Sequence, residues 1–303
     1  MERRKFIQSA SLSVMALALE RSLTSCHIKG GNNKKKIIVG AQVWIYASTL
    51  PRYDVSPVLG QIFSDMSYAG FDGIETMDTP LRSPTYTKQI RELIDQYKID
   101  LIGTSYGGAM WNKDKHNEIL EEVDLILTNM SSVGGRTFGV TVGEPVGRHK
   151  TEEDFDNQAD ILKKIISLGE EKGIVLNLHN HIPEVENNMF DLRGTLKRIP
   201  DIKLGPDLNW LQRAGVDPLT FLREFRNQVP FLHLRDQLSN GKWPESVGEG
   251  NVDFKQLADL LKEISFEGDA IIELAYENGF IPSRPLKESL KMSRDYVRKT
   301  MGI

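Results

Sequence analysis

The chain is poor in cysteine. Among 303 residues there is one, Cys26. That excludes an intramolecular disulfide framework and any cysteine-based zinc site. Positive charge is short as well: 38 Lys and Arg stand against 42 Asp and Glu, a formal charge of −4. No dense basic stripe offsets this balance, which argues against nucleic acid as a partner. The one basic run, Lys34-Lys35-Lys36, follows Gly30-Gly31-Asn32-Asn33 and reads as a solvated linker. No apolar run reaches the ~20 residues that span a bilayer. Low-complexity tracts and coiled-coil heptads are absent, and nothing marks a second folded domain. At 303 residues the chain is long enough for one large core.

What is present begins at the N-terminus. Met1-Glu2-Arg3-Arg4-Lys5 is a basic start with a twin arginine. Ala10 to Leu19 is a short stretch of small and apolar residues. Leu23-Thr24-Ser25-Cys26 then resembles a lipobox, in which the cysteine becomes the lipidated first residue. Residues 1–26 are therefore expected to be an export signal, residues 27–35 a linker, and residues 36–303 the folded domain. The expected location is periplasmic, or membrane-anchored through a lipidated Cys26. Glu20 and Arg21, between the apolar stretch and the cysteine, are unusual for a lipobox.

From Lys36 onward, strand-like and helix-like segments alternate. Strand patterns occur at Lys36–Tyr46, Gly70–Met77, Ile99–Tyr106, Arg136–Val142, Ile174–His181, Ile202–Leu208, Val229–Asp236 and Asp269–Tyr276. Helical patterns fill the gaps, as at Asn117–Met130, where Ile119, Val123 and Leu127 recur at helical spacing. Others are Asp191–Arg198, Pro218–Arg226 and Phe254–Ile264. Eight such units predict a (β/α)₈ TIM barrel in a single domain. A doubly wound open sheet competes, but no G-x-G-x-x-G follows the first strand.

Four of the strand-like segments close on a metal-ligand type of side chain. They are VLNLHNH to His181, KLGPDLN around Asp207, FLHLRD around His233 and AIIELAYE around Glu273. Period-two alternation puts Asn177, His179 and His181 on one face. Two histidines two apart can hold one metal, or one can ligate and the other touch substrate. Asp207 also suits an N-cap, and His233 a buried core histidine. A glutamate within AIIEL, by contrast, is costly to bury unless paired or metal-bound. Together they form a nitrogen and oxygen site for one divalent ion; Mn²⁺, Zn²⁺, Co²⁺ or Fe²⁺ all fit.

The order of these motifs resembles the sugar phosphate isomerase/epimerase group with the xylose isomerase-like TIM barrel. The resemblance runs from Ile37 to about Leu290. It rests on GFDGIE (Gly70–Glu75), LHNHIPE (Leu178–Glu184), D-x-x-W-x-x-x-A-G-x-D-P (Asp207–Pro218), HLRD (His233–Asp236), VGEGNVDF (Val247–Phe254) and the Glu273 strand. It implies one divalent metal held by His179, Asp207, His233 and Glu273, with His179 where a glutamate is common. HNH followed by Glu184 marks a subgroup. Sugar epimerases of this family use two glutamates, and here only Glu273 of that pair remains.

The implied activity is that of an isomerase or epimerase on a non-phosphorylated sugar or keto-sugar, through an enediolate. The alternative is a lyase or dehydratase acting on 3-keto-glycosides or inositol ketones. Export argues against a phosphorylated substrate, because sugar phosphates are intracellular. Glu273 is the expected base, with Glu184 or His181 as its acid/base partner. Trp44 and Trp210 are expected at the rim against the sugar, and Glu75 as a hydroxyl acceptor. Arg235, in place of a lysine common in this motif, would bind a substrate oxygen or pair with Asp236. Glu249 is expected in a loop over the barrel mouth, as a lid residue. A third reading is a non-catalytic sugar-binding lipoprotein; the intact Asp207, His233 and Glu273 argue against it. An abasic-site endonuclease would need more histidines and a basic face than this chain has.

Overall fold

Short apolar runs covered on both faces become parallel strands, and the amphipathic stretches between them become the outer helices. The computed structural model describes residues 37–303. The expected export signal, Cys26 and the linker lie outside the described residues. The strands are β1 (Ile38–Gln42), β2 (Gly73–Met77), β3 (Asp100–Gly107), β4 (Thr137–Thr141), β5 (Val175–His179), β6 (Leu204–Gly205), β7 (Phe231–Leu234) and β8 (Asp269–Ile272). All ladders are parallel, in the order β6-β5-β4-β3-β2-β1-β8-β7. The ring closes between the two ends of that order. Asp207 and His233 form a parallel bridge, and His233 N donates to Pro206 O at 2.9 Å. The expected TIM barrel is thus the fold, and its seam runs through two of the proposed metal ligands.

The principal outer helices are α1 (Leu59–Ala69), α2 (Pro84–Tyr97), α3 (His116–Ser132), α4 (Glu152–Glu171), α5 (Ile182–Leu196), α6 (Leu208–Arg213), α7 (Pro218–Glu224), α8 (Phe254–Glu263) and α9 (Leu286–Met301). In α3 the predicted stripe is the buried one: Ile119, Val123, Ile126, Leu127 and Met130. Each such side chain contributes about 1.5–3 kcal/mol by leaving water. At the start of α4, Thr151 and Asp154 cap each other's backbone N–H, at 3.3 and 2.7 Å. Among the described residues, no helix is long and apolar enough to cross a membrane.

The lumen has two storeys. Its lower part is an apolar plug of Ile102, Phe231 and Ile271, with Ile38 against it. Gly103 lets β3 and β4 approach there, since a Cβ would sit 2.0 Å from Thr137 O. Above the plug the lumen is polar. Gln42 and Glu75 are register partners on β1 and β2, and His179 pairs with Gly205 across β5 and β6. Polar side chains at strand C-terminal ends are where a TIM barrel carries chemistry.

Several boundaries differ from the sequence expectation. β1 stops at Gln42, because the Gln42 side chain accepts from Trp44 N and a one-turn helix, Trp44–Ala47, follows. β6 is only two residues long because Pro206 has no N–H to continue the ladder. α5 starts at Ile182 rather than Asp191, with Pro183 in its first turn. It is interrupted at Asn187, Asn188 and Met189, whose φ values are 51°, 60° and 58°.

Candidate active site

The C-terminal mouth of the barrel opens into a cavity of about 370 Å³. Its wall includes His179, His181, Trp210, His233, Arg235 and Glu273. His179 is the last residue of β5 and His181 lies two further on, so alternation sends both rings inward. Their centroids are 5.1 Å apart, and that of His179 is 4.7 Å from His233. His233, on β7, is clamped at both nitrogens. Its Nε2 lies 2.6 Å from Glu75 Oε2, and its Nδ1 lies 2.7 Å from Glu273 Oε2 and 3.9 Å from Asp207 Oδ2. The Nδ1 contact lacks hydrogen-bond alignment, so that atom is buried without a hydrogen-bond partner.

Asp207 serves two purposes at once. Its Oδ1 caps α6, accepting from Asn209 N at 2.9 Å and Trp210 N at 3.0 Å. Its Oδ2 accepts from Arg235 Nε at 2.7 Å. The N-cap reading and the site reading of this aspartate are therefore both met, by different oxygens. Arg235 Nη2 pairs with Glu273 Oε1, so one guanidinium bridges the carboxylates of β8 and the β6 end. That guanidinium also lies over Trp210 and Trp243, 5.7 and 5.2 Å from the ring centroids. Its Nη1 is buried with no hydrogen-bond partner.

These contacts set the charge states. Burial favours neutral Glu273, but Arg235 and His233 outweigh it and hold its carboxyl well below the usual range. Burial likewise opposes charge on His233, yet Glu75 and Glu273 prevail and raise it to about 10. Glu75 is pushed up by burial, with His233 opposing. His179 is held well below its ordinary value by burial and by the neighbouring His233 and His181. A neutral imidazole there has a lone pair free for coordination.

A divalent ion fits this donor set if it takes the place of a ring proton on His233. His179, Asp207 and His233 present one ligand atom each, all within 4.8 Å of one another, and all three are buried. Two imidazoles and a carboxylate suit borderline metals. Glu273, proposed as the fourth ligand, touches His233 and Arg235 beside this trio. Glu75 completes a carboxylate–histidine pair behind the trio, the arrangement that orients a ligating imidazole.

Four of the expected residues have structural partners of their own. Glu75 does not line the cavity as a hydroxyl acceptor; it is buried beneath His233. Glu184 is not on the cavity wall either. It stands three residues after His181, and its Oε2 accepts from His181 N at 3.0 Å as part of the start of α5. Arg235 does not pair with Asp236; its guanidinium is held by Asp207 and Glu273. Asp236 instead accepts from the backbone N–H of Gln237, Gly248, Gly250 and Val252, at 2.8 to 3.1 Å. That holds the VGEGNV loop in place. Glu249 in this loop faces Arg284 (2.6 Å) and Ser246 N (2.9 Å), outside the cavity wall.

Trp44 and Trp210 do line the cavity, as expected. Gln42, Ser105, Thr141, Trp243 and Tyr276 line it too and were not anticipated. Gln42 ends β1 and Thr141 ends β4, so the strand-end rule could have found both. Trp243 lies in a loop with no local signal. Asn177, inward on β5, has neither amide atom hydrogen-bonded among the described residues. Gly205 admits it, since a Cβ there would lie 1.9 Å from Asn177 Oδ1.

Comparison with known proteins agrees with the architecture. An inosose dehydratase of Clostridium tetani is 23% identical over 310 residues, covering 89% of this chain and 99% of that protein. The 3-keto-D-glucoside 4-epimerase of E. coli superposes with a TM-score of 0.65 at 16% identity, over 87% of this chain and all of that one. D-psicose 3-epimerase of Clostridium cellulolyticum H10 gives 0.70 at 14% identity, over 88% and 99%. The structural likenesses show the fold; the relatives are sugar-modifying enzymes. The family model described as xylose isomerase-like TIM barrel matches residues 63–296, and the chain belongs to that family.

Proposed function

We propose that the chain is a divalent-metal-dependent enzyme that acts on a non-phosphorylated keto-sugar by removing the proton next to its carbonyl. The observation that carries this reading is the buried His179, Asp207 and His233 trio, two of whose members, His179 and His233, share the cavity wall with Glu273. A cation held there would act as a Lewis acid on the charge that develops on the carbonyl oxygen. Glu273 stands on the cavity wall, so its carboxylate is placed to accept the proton. Trp210, and Trp44 across the mouth, offer faces for the sugar ring. Arg235 Nη1, buried and unpartnered, offers a donor to a substrate oxygen.

Of the outcomes open after deprotonation, elimination is the best supported. Epimerisation needs a second base on the other face of the carbon. Glu273 and Asp78 are the only carboxylates on the cavity wall among the described residues, and Asp78 is tied to Arg82 at 2.6 Å. His181 is available instead, as an acid for a leaving group. In elimination the C–H bond next to the ketone breaks, with its proton going to Glu273. The bond to the β-substituent breaks in turn, a C=C bond forms, and His181 protonates the departing oxygen. Dehydratases among the sequence relatives accord with this order of preference. Isomerisation or epimerisation is the second reading, in keeping with the family's epimerases.

The test is product NMR in D₂O, with Mn²⁺-loaded protein and 3-keto-glycosides or inositol ketones. Release of the β-substituent with an unsaturated ketone supports elimination. Deuterium at the α-carbon with the substituent retained moves the enzyme to the second reading. No exchange and no product, on any of these ketones, would sink both.

A further inference from the structure

The floor of the cavity is charged, but one side of its mouth is apolar. Trp44 and Tyr276, both on the cavity wall, each hand over to a more exposed aromatic ring. Trp44 meets Tyr53 at 5.0 Å between centroids, and Tyr53 is 51% exposed. Tyr276 stacks on Phe280 at 4.7 Å; Phe280 is 37% exposed, and the next residue, Ile281, is 87% exposed. The two pairs leave neighbouring strands, since β1 and β8 are hydrogen-bonded to each other. They therefore line the same side of the mouth.

The display of Tyr53 is not the default for its backbone. Arg52 and Tyr53 have φ values of 55° and 57°, in the left-handed region that residues with side chains rarely adopt. Strain of this kind persists where the surrounding structure over-determines it, and it clusters at binding sites. Core packing does not explain rings and an isoleucine this exposed. A ligand with a polar ring in the cavity and an apolar plane outside it would cover them.

We propose that Tyr53, Phe280 and Ile281 form an aglycone subsite, and that the substrate is a keto-glycoside carrying an aryl aglycone. This rests on the keto-sugar reading above and narrows it. It also fits the elimination. In a 3-keto-glycoside the C2 proton is next to the ketone, and the anomeric substituent is the β-group. Taking that proton breaks the C2–H and C1–O bonds, forms C1=C2, and releases the aglycone as a phenol that takes a proton from His181. The substrate ketone must then be supplied by a sugar oxidoreductase acting on the intact glycoside.

The test measures binding without turnover. Mn²⁺-loaded protein is titrated with methyl β-D-glucopyranoside, p-nitrophenyl β-D-glucopyranoside and cellobiose, none of which carries the ketone. The aryl glycoside is expected to bind about 10-fold tighter than the methyl glycoside. Tyr53→Ala and Phe280→Ala should each remove about 3- to 10-fold of aryl affinity, the range for one aromatic contact. Methyl glycoside binding should stay within about twofold, because neither ring lines the cavity. Equal binding of methyl and aryl glycosides, or preference for cellobiose, overturns the subsite while leaving the keto-sugar reading standing. Binding of none of the three overturns the subsite and counts against that reading as well. Unchanged melting temperatures would show that the variants fold.

Discussion

Replacing Glu75 by Gln tests the architecture beneath the site. Glu75 and His233 lie on opposite sides of the barrel, 158 residues apart, yet Nε2 and Oε2 are 2.6 Å apart, with both side chains 2% exposed. If His233 ligates through Nδ1, its Nε2–H must donate to Glu75, which fixes the tautomer and ring plane and makes the imidazole a stronger ligand. Glutamine keeps the volume and an acceptor oxygen but removes the charge. Loss of such a partner weakens metal binding ~10–100-fold, or about 1.4–2.7 kcal/mol. Glu75→Ala should do more, because it leaves a buried N–H unpaired and opens a cavity. About 3 kcal/mol of stability should go with it. Equilibrium dialysis against Mn²⁺ and Zn²⁺ reads the first effect, and urea unfolding in chelator reads the second. Glu75→Gln with wild-type metal affinity would refute the reasoning, and Glu75 would then be only a buried ion-pair partner.

Other expectations follow from single contacts. His181→Asn should lower turnover ~10²–10⁴-fold with metal retained, as for a lost proton-transfer group; metal analysis alongside steady-state kinetics separates the two. Glu184→Gln should leave turnover within ~10-fold and cost about 1 kcal/mol of stability, because its carboxylate accepts a helix N-terminal N–H rather than facing the cavity. Asp236→Ala strips one acceptor from four backbone N–H groups, and thermal or urea unfolding should show a loss of about 3 kcal/mol. Gly103→Ala drives a Cβ to within 2.0 Å of Thr137 O, and should destabilise the barrel by at least ~3 kcal/mol in the same assay.

The barrel was legible because its alternation is a local property. Apolar strands, amphipathic helices and Gly or Pro turns are all written within about ten residues of one another. The grouping of His179, Asp207 and His233 was legible because they lie at strand ends, where the fold itself supplies the third dimension. What could not be read along the chain is contact across the lumen. Nothing near Glu75 says that it meets His233, and nothing near Arg235 says that it bridges Asp207 and Glu273. Glu184 is a different case. A residue followed three positions later by Glu, just before an apolar run, is a capping pattern, but His181 is not an ordinary N-cap residue and does not announce it. The left-handed turn at Arg52 and Tyr53 carries no glycine to announce it.

The central claim is that this cavity removes a proton next to a ketone with the help of Glu273 and a bound divalent ion. The most direct measurement is solvent deuterium uptake during turnover. Mn²⁺-loaded protein is incubated in D₂O with a panel of 3-keto-glycosides, and the recovered substrate and products are read by NMR. The expected result is α-proton loss on a substrate that turns over, abolished by chelator and by Glu273→Gln. Turnover that continues undiminished in chelator or in Glu273→Gln, or a product formed with the α-proton still in place, would contradict it.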